Sequence, residues 1–493
     1  MRKLILLMLL SMFVFLGAPV LGLCQTRALL VACTEFVTQP NLGNSISGNL
    51  HMIGSAFLGS GVRSESLSIE DGTIGTVEAL SAAIQDAFSM ASEDDLSILY
   101  LCTHGILSSS DDEQVYLLLG DGQTETPLSA DDLYALVRNI QGEKLLILDA
   151  CYSGALIGRG IPEEGMLPGS RGMQEICSSV FLSDPSIHVL TSASGYESSW
   201  YYDSEGLANG AVSYFASALA SGLGLYGTLE ADANADGAVS LMEMQRYLSV
   251  AVPSSSSQLL SARPENLYLP VATGPMLTKP LTGFSYGSSL LMADAPTLDF
   301  SFTVTQDTAI QYRLVEFSDG NWNWAEATTF LDEGDDGQGT LYPGRKTRAL
   351  TLPNLAEGDN GYLMLQVFSL STTELILCSE RLIAVQPDTD DVQLGIRSGE
   401  MLSQAGACEL PIDVRLNVPA EITVSVFDGE GDLVRRLASS QLTRPAPGGI
   451  THLYWDGRDA FGSPVAPGHY TVAAEAVIGS ARHKASAEIT IGG

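Results

Sequence analysis

Four short apolar runs constrain this chain more than any other feature. They are Arg27-Ala-Leu-Leu-Val-Ala-Cys33, Ile98-Leu-Tyr-Leu-Cys102, Lys144-Leu-Leu-Ile-Leu-Asp149 and Ile187-His-Val-Leu-Thr191. Each is short for a helix and too uniformly apolar for a strand with one wet face, so each reads as a strand buried on both sides. Between them the spacing becomes helical. Val77, Leu80, Ile84, Ala87 and Phe88 fall on one face, and Ser129-Ala-Asp-Asp132 resembles a capping box ahead of Leu133, Leu136, Val137 and Ile140. Buried strands alternating with amphipathic helices predict an α/β unit with a mainly parallel sheet, layered on both faces, over residues 25–272.

Beyond about Leu269 the pattern changes to period two. Leu298, Phe300, Phe302 and Val304 alternate, as do Leu363, Leu365 and Val367, and later Ile412, Val414 and Leu416. Half-buried antiparallel strands follow from that alternation, predicting one β-sandwich over residues 273–390 and a second over 391–493.

At the other end, Arg2 and Lys3 precede an apolar run from Leu4 to Leu23, the pattern of a secretory signal over residues 1–24. Cleavage falls between Gly22 and Gln25; an uncleaved anchor is the alternative, because the run approaches spanning length. Leu21-Gly22-Leu23-Cys24 hints at lipidation, but Leu23 is large for the residue before a lipidated cysteine. The expected location is therefore secreted or cell-surface. The chain carries 58 Asp+Glu against 24 Lys+Arg, a formal charge of −34. That balance lacks the basic footprint a nucleic-acid binder needs. Cys33 and Cys102 sit within apolar runs and read as small buried hydrophobes; a Cys378–Cys408 bridge is left open. No phosphate loop, dinucleotide fingerprint or zinc cluster occurs, so no organic cofactor is expected. His51, His188, His452, His469 and His483 show no ligand spacing.

Two polar stretches stand just past the ends of predicted parallel strands, where sites assemble in open α/β sheets. Thr103-His104-Gly105 follows the second run, and Asp149-Ala-Cys151-Tyr-Ser-Gly154 ends the third. Adjacent strand ends bring His104, as acid/base, beside Cys151, as a thiol nucleophile. A helix starting near Ser153 would favour the thiolate. Gly105 lacks a side chain, so its N–H, with that of Cys151, forms a plausible oxyanion hole.

Asp232-Ala-Asn234-Ala-Asp236-Gly237-Ala238-Val239-Ser240-Leu-Met-Glu243 fits a calcium loop. Ligands fall at positions 1, 3, 5, 7 (the Ala238 carbonyl), 9 and 12, with glycine at 6. A structural calcium ion is the expected cofactor.

Taken together, residues 27–250 resemble the caspase-like cysteine peptidases, the clan of caspases, metacaspases, clostripain and gingipains. The likeness rests on the two strand-end blocks, on Tyr116-Leu-Leu-Leu-Gly-Asp121 between them and on Leu190-Thr-Ser-Ala-Ser194 after them. His104 lies 47 residues before Cys151, close to the caspase spacing. The resemblance implies a caspase-like three-layer sandwich and a peptide-bond hydrolase with Cys151 as nucleophile and His104 as acid/base. It departs from true caspases at Asp149, which stands where their signature has Gln. A carboxylate there repels an acidic substrate and suits Arg or Lys, as in metacaspases. Residues 25–272 hold 30 acids and 8 bases, a net −22, which favours basic peptides as partners.

The resemblance also implies that the Gly- and Pro-containing stretch 155–178 is open to self-cleavage after Arg159 or Arg171. Ser192, Ser194 and the trio Trp200-Tyr201-Tyr202 are expected along the substrate groove. The last 90 or so residues, including Phe427-Asp-Gly-Glu-Gly-Asp-Leu and Trp455-Asp-Gly-Arg-Asp-Ala-Phe-Gly462, resemble the Ig-like domain of flagellar hook-capping proteins, implying a spacer or surface-attachment role. A transpeptidase on the same dyad and a catalytically silent surface-binding protein are the alternatives.

Overall fold

The computed structural model describes residues 25–42, 47–107, 114–158, 181, 184–202, 212–293, 296–318, 320–352, 361–370, 375–386, 391–398, 402–404, 407–445 and 449–492. In the first unit β1 (Thr26–Ala32) leads through α1 (Ser47–Gly59) to β2 (Leu67–Asp71), and through α2 (Val77–Phe88) to β3 (Leu96–Cys102). A side sheet follows, of β4 (His104–Leu107), β5 (Val115–Gly120) and β6 (Glu125–Leu128). Next come α3 (Ala130–Val137), β7 (Glu143–Asp149), β8 (Ile187–Thr191), the short β9 (Tyr201–Tyr202) and β10 (Val212–Ser213), α4 (Tyr214–Gly222), α5 (Leu241–Ala251) and β11 (Gln258–Leu260).

The main sheet runs β11-β8-β7-β3-β1-β2, parallel throughout except for β11. Its two faces explain the uninterrupted apolar runs. Ala28, Leu30, Ile98, Tyr100, Leu145 and Ile147 point to one side, under α1, α4 and α5, where Ile53, Phe57, Phe215, Leu219, Met244 and Leu248 meet them. Leu29, Val31, Leu99, Leu101, Leu146 and Leu148 point to the other, under Leu80, Ile84 and Phe88 of α2 and Leu133 and Val137 of α3. Successive strand residues therefore serve opposite cores, giving a three-layer α/β sandwich.

Helix starts are set by side-chain caps. Thr76 accepts from the Ala79 N–H, and Ser129 with Asp132 forms the expected capping box. Each such cap contributes about 1 kcal/mol.

Two β-sandwiches follow. In the first, Phe300, Phe302 and Val304 pack across to Ile310, Tyr312, Leu363, Leu365 and Val367. In the second, strands 394–416 and 450–455 close over strands 421–442 and 468–491, with Trp455, Val424 and Val472 fully buried between them. No helix among the described residues is long and apolar enough to cross a membrane.

Candidate active site

β3 and β7 lie side by side with Cys102 opposite Asp149, and the Thr103 N–H donates to the Asp149 carbonyl at 3.2 Å. The two chains thus leave the sheet together and then diverge. His104 opens β4 and turns into the side sheet, where Gly105 lies opposite Leu117. Past β7 the chain reverses at Tyr152, which adopts the left-handed region at φ 57°. The two turns touch at Gly105. A Cβ built there would stand 1.7 Å from the Cys151 carbonyl oxygen, so only glycine fits.

His104 Nε2 lies 2.8 Å from the Pro40 carbonyl oxygen, and its ring packs 4.7 Å from that of Phe36. A carbonyl only accepts, so Nε2 carries the proton in this contact. Pro40, on a loop 64 residues upstream, thus orients the His104 ring. Cys151 is half-buried and its Sγ points to the Ser199 carbonyl at 3.7 Å. Burial pushes its thiol above the ordinary range, and the Asp149 charge adds to that push. The helix expected to favour a thiolate is instead a five-residue 3₁₀ turn, Ser153–Ile157. Its dipole is too short to offset desolvation, and Cys151 rests as a thiol.

The cysteine turn is held from behind. Tyr152 N–H donates to the Glu197 carbonyl and Gly154 N–H to the Ala193 carbonyl, both at 2.9 Å. The Ala150 N–H donates to Ser192 Oγ at 3.1 Å. Ser192 and Ser194, expected along the groove, are buried at 0 and 1% exposure. They sit behind the turn, Ser192 through this bond to Ala150 and Ser194 through its own N–H. Glu197 Oε1 accepts from the N–H groups of Ser194 and Ser256.

Asp149 is 2% exposed. Tyr100 Oη and Ser213 Oγ donate to its Oδ2, and Ser199 Oγ donates to Oδ1 at 3.0 Å. Burial raises its pKa, and the hydroxyls of Ser213, Tyr100 and Ser199 pull it back. Asn49 completes the group, donating from Nδ2 to Tyr100 Oη and accepting the Ser213 N–H at Oδ1. Ser199 thus touches both Asp149 and the Cys151 thiol.

Of the aromatic trio, Tyr201 is exposed, Trp200 packs on Trp324 of the first sandwich at 5.2 Å and Tyr202 on Phe368 at 5.5 Å. Arg159 and Arg171 lie outside the described residues. Cys378 is a free buried thiol, and the side chain of Cys408 lies outside the described residues. Pro40, Asn49, Glu197, Ser199 and Ser213 were not singled out in sequence. Only Ser213 carried a local signal, as the N-cap of α4.

A parallel sheet with His104 and Cys151 at neighbouring strand ends is the arrangement that the caspase-like resemblance implies. Residues 23–172 match the CHAT domain family model, and residues 400–480 match that of the FlgD Ig-like domain. The chain is thus similar to a CHAT domain in its first part and to an FlgD Ig-like domain near its end. Among solved structures, caspase-1 from Spodoptera frugiperda aligns at 14% identity over 51% of this chain and 90% of its own, with a TM-score of 0.32. A Geobacter sulfurreducens protein aligns at 16% identity over 51% and 99%, with a TM-score of 0.34. No curated protein matches the chain.

Proposed function

We propose that the chain is a cysteine endopeptidase that hydrolyses peptide bonds after Arg or Lys. The observation that carries this reading is the contact of Gly105 with the Cys151 carbonyl, which sets the His104 strand directly against the nucleophile turn. Sγ of Cys151 attacks the scissile carbonyl carbon while His104 Nδ1 takes the thiol proton. The oxyanion that forms is met by the N–H groups of Gly105 and Cys151. On collapse, the C–N bond breaks and His104 returns the proton to the leaving amine. Water then attacks the thioester with His104 as base, releasing the acid and restoring the thiol.

Asp149 supports the choice of a basic side chain. A carboxylate this buried carries a desolvation cost that an incoming guanidinium or ammonium relieves. The acidic surface supports steering of such peptides toward the site. The charged and apolar N-terminal run supports export, and the Ig-like module supports a role in attachment.

Casein digestion by the purified chain tests the reaction. Loss in both Cys151→Ala and His104→Ala supports the dyad, whereas digestion that survives both substitutions refutes it.

A further inference from the structure

The loop between α4 and α5 takes no part in that chemistry. Its first half coils inward on its own amides. The Asp232 carboxylate accepts from the N–H groups of Asp236 and Gly237 at 3.2 and 2.9 Å. Asn234 Oδ1 accepts from the Asp236 N–H at 2.8 Å, and Asp236 Oδ1 from the Ala238 N–H at 2.9 Å. Ala235 and Gly237 are both left-handed, at φ 60° and 84°, which bends the loop tightly enough for every second side chain to face inward.

An independent sign comes from Glu243, on the first turn of α5. It is 8% exposed, and its Oε2 accepts from the N–H and Oγ of Ser240 at 2.9 and 2.8 Å. Those bonds fix the carboxylate against the closing end of the loop. The other oxygen, Oε1, is buried with no hydrogen-bond partner. An unpaired buried carboxylate oxygen is costly and rare, and its position here calls for a cation.

We propose that residues 232–243 bind one calcium ion. The ligands are the side chains of Asp232, Asn234 and Asp236, the Ala238 carbonyl, Ser240 directly or through water, and Glu243 through Oε1. This set supplies the oxygens calcium takes and gives no nitrogen or sulfur to a softer metal. Magnesium, smaller and strictly octahedral, fits a flexible oxygen loop of this kind less well. Among the described residues no three acidic, His or Cys side chains stand close enough to hold an ion as they are. Binding therefore draws Glu243 Oε1 toward Asp232 and Asp236 while Ser240 keeps its cap. The ion then ties the loop to α5, whose Leu241, Met244 and Leu248 are fully buried against the sheet.

Calorimetric titration of the full chain, stripped with chelator, tests this with calcium chloride and magnesium chloride as probes. One calcium per chain is expected, with a dissociation constant on the order of 10⁻⁵ to 10⁻³ M. The melting temperature rises on adding about 5 mM calcium. Glu243→Gln weakens calcium binding at least about tenfold through loss of its charge. Asp236→Asn, in the exposed part of the loop, melts like the wild type in chelator but loses the calcium shift. No saturable calcium binding, an equal response to magnesium, or calcium binding unchanged in both variants would overturn the proposal.

Discussion

Gly105 and the Cys151 carbonyl are in such close contact that a single methyl group between them would overlap the oxygen at 1.7 Å. The neighbours that would have to yield are backbone atoms fixed by the Tyr152–Glu197 and Thr103–Asp149 hydrogen bonds. Gly105→Ala should therefore cost about 1–3 kcal/mol of stability and separate His104 from Cys151. A drop in kcat/KM of roughly a hundredfold or more is expected, read alongside thermal melting so that lost geometry is distinguished from lost fold.

The raised thiol of Cys151 sets the pH dependence of its alkylation. Burial disfavours the thiolate, so iodoacetamide should react slowly at neutral pH and faster as pH rises beyond the ordinary thiol range. Cys33 and Cys378 are buried with thiols pushed up to about 11 and 12, and burial also raises Cys102 well above the ordinary range. Peptide mapping of the native chain should find Cys151 labelled ahead of these three. A reaction rate already at its plateau in mild acid would mean a preformed thiolate–imidazolium pair.

Asp149→Asn keeps hydrogen-bond capacity for Tyr100, Ser199 and Ser213 but removes the charge. The kcat/KM for a peptide ending in Arg should fall roughly a hundredfold, about 2.7 kcal/mol, with little change for one ending in Ala. Equal losses on both peptides would assign Asp149 to bracing the turn alone.

Glu380 joins the first sandwich to the caspase-like unit. It accepts from Gln366 Nε2 at 2.9 Å and from Ser254 Oγ at 3.2 Å. Burial raises its pKa from 4.5 to about 7, against the pull of Gln366, Ser254 and the nearby Arg444 and Arg381. Because the folded chain holds a proton that the unfolded chain releases, this group's stabilisation is complete below pH 4.5 and is lost as pH rises through 7. Urea unfolding of wild type and Glu380→Gln should show their stability difference shifting by roughly 3 kcal/mol in favour of the variant between acid and mildly alkaline pH. A pH-independent difference would contradict this.

Much of the scaffold was legible because its signals are local. A run such as Leu145–Leu148 is apolar at every position only if both faces are covered, and the polar residues that end it mark the strand's carboxyl edge. His104 and Cys151 could be found that way. Their supports could not. Pro40, Glu197, Ser199 and Ser213 reach the site from 45 to 64 residues away, through backbone carbonyls and hydroxyls that leave no pattern in sequence. Ser192 and Ser194 look exposed in a polar stretch, yet backbone hydrogen bonding draws them into the interior. The Tyr100–Asp149 bond explains why a hydroxyl interrupts an otherwise apolar strand.

Cleavage by Cys151 after a basic residue is tested by fluorophore release from a peptide ending in Arg, measured for the wild-type chain and for Cys151→Ala. Release by the wild type, none above background by the variant, and little release from the matching peptide ending in Asp are expected. Equal release by both proteins, or preference for the Asp peptide, would contradict such cleavage.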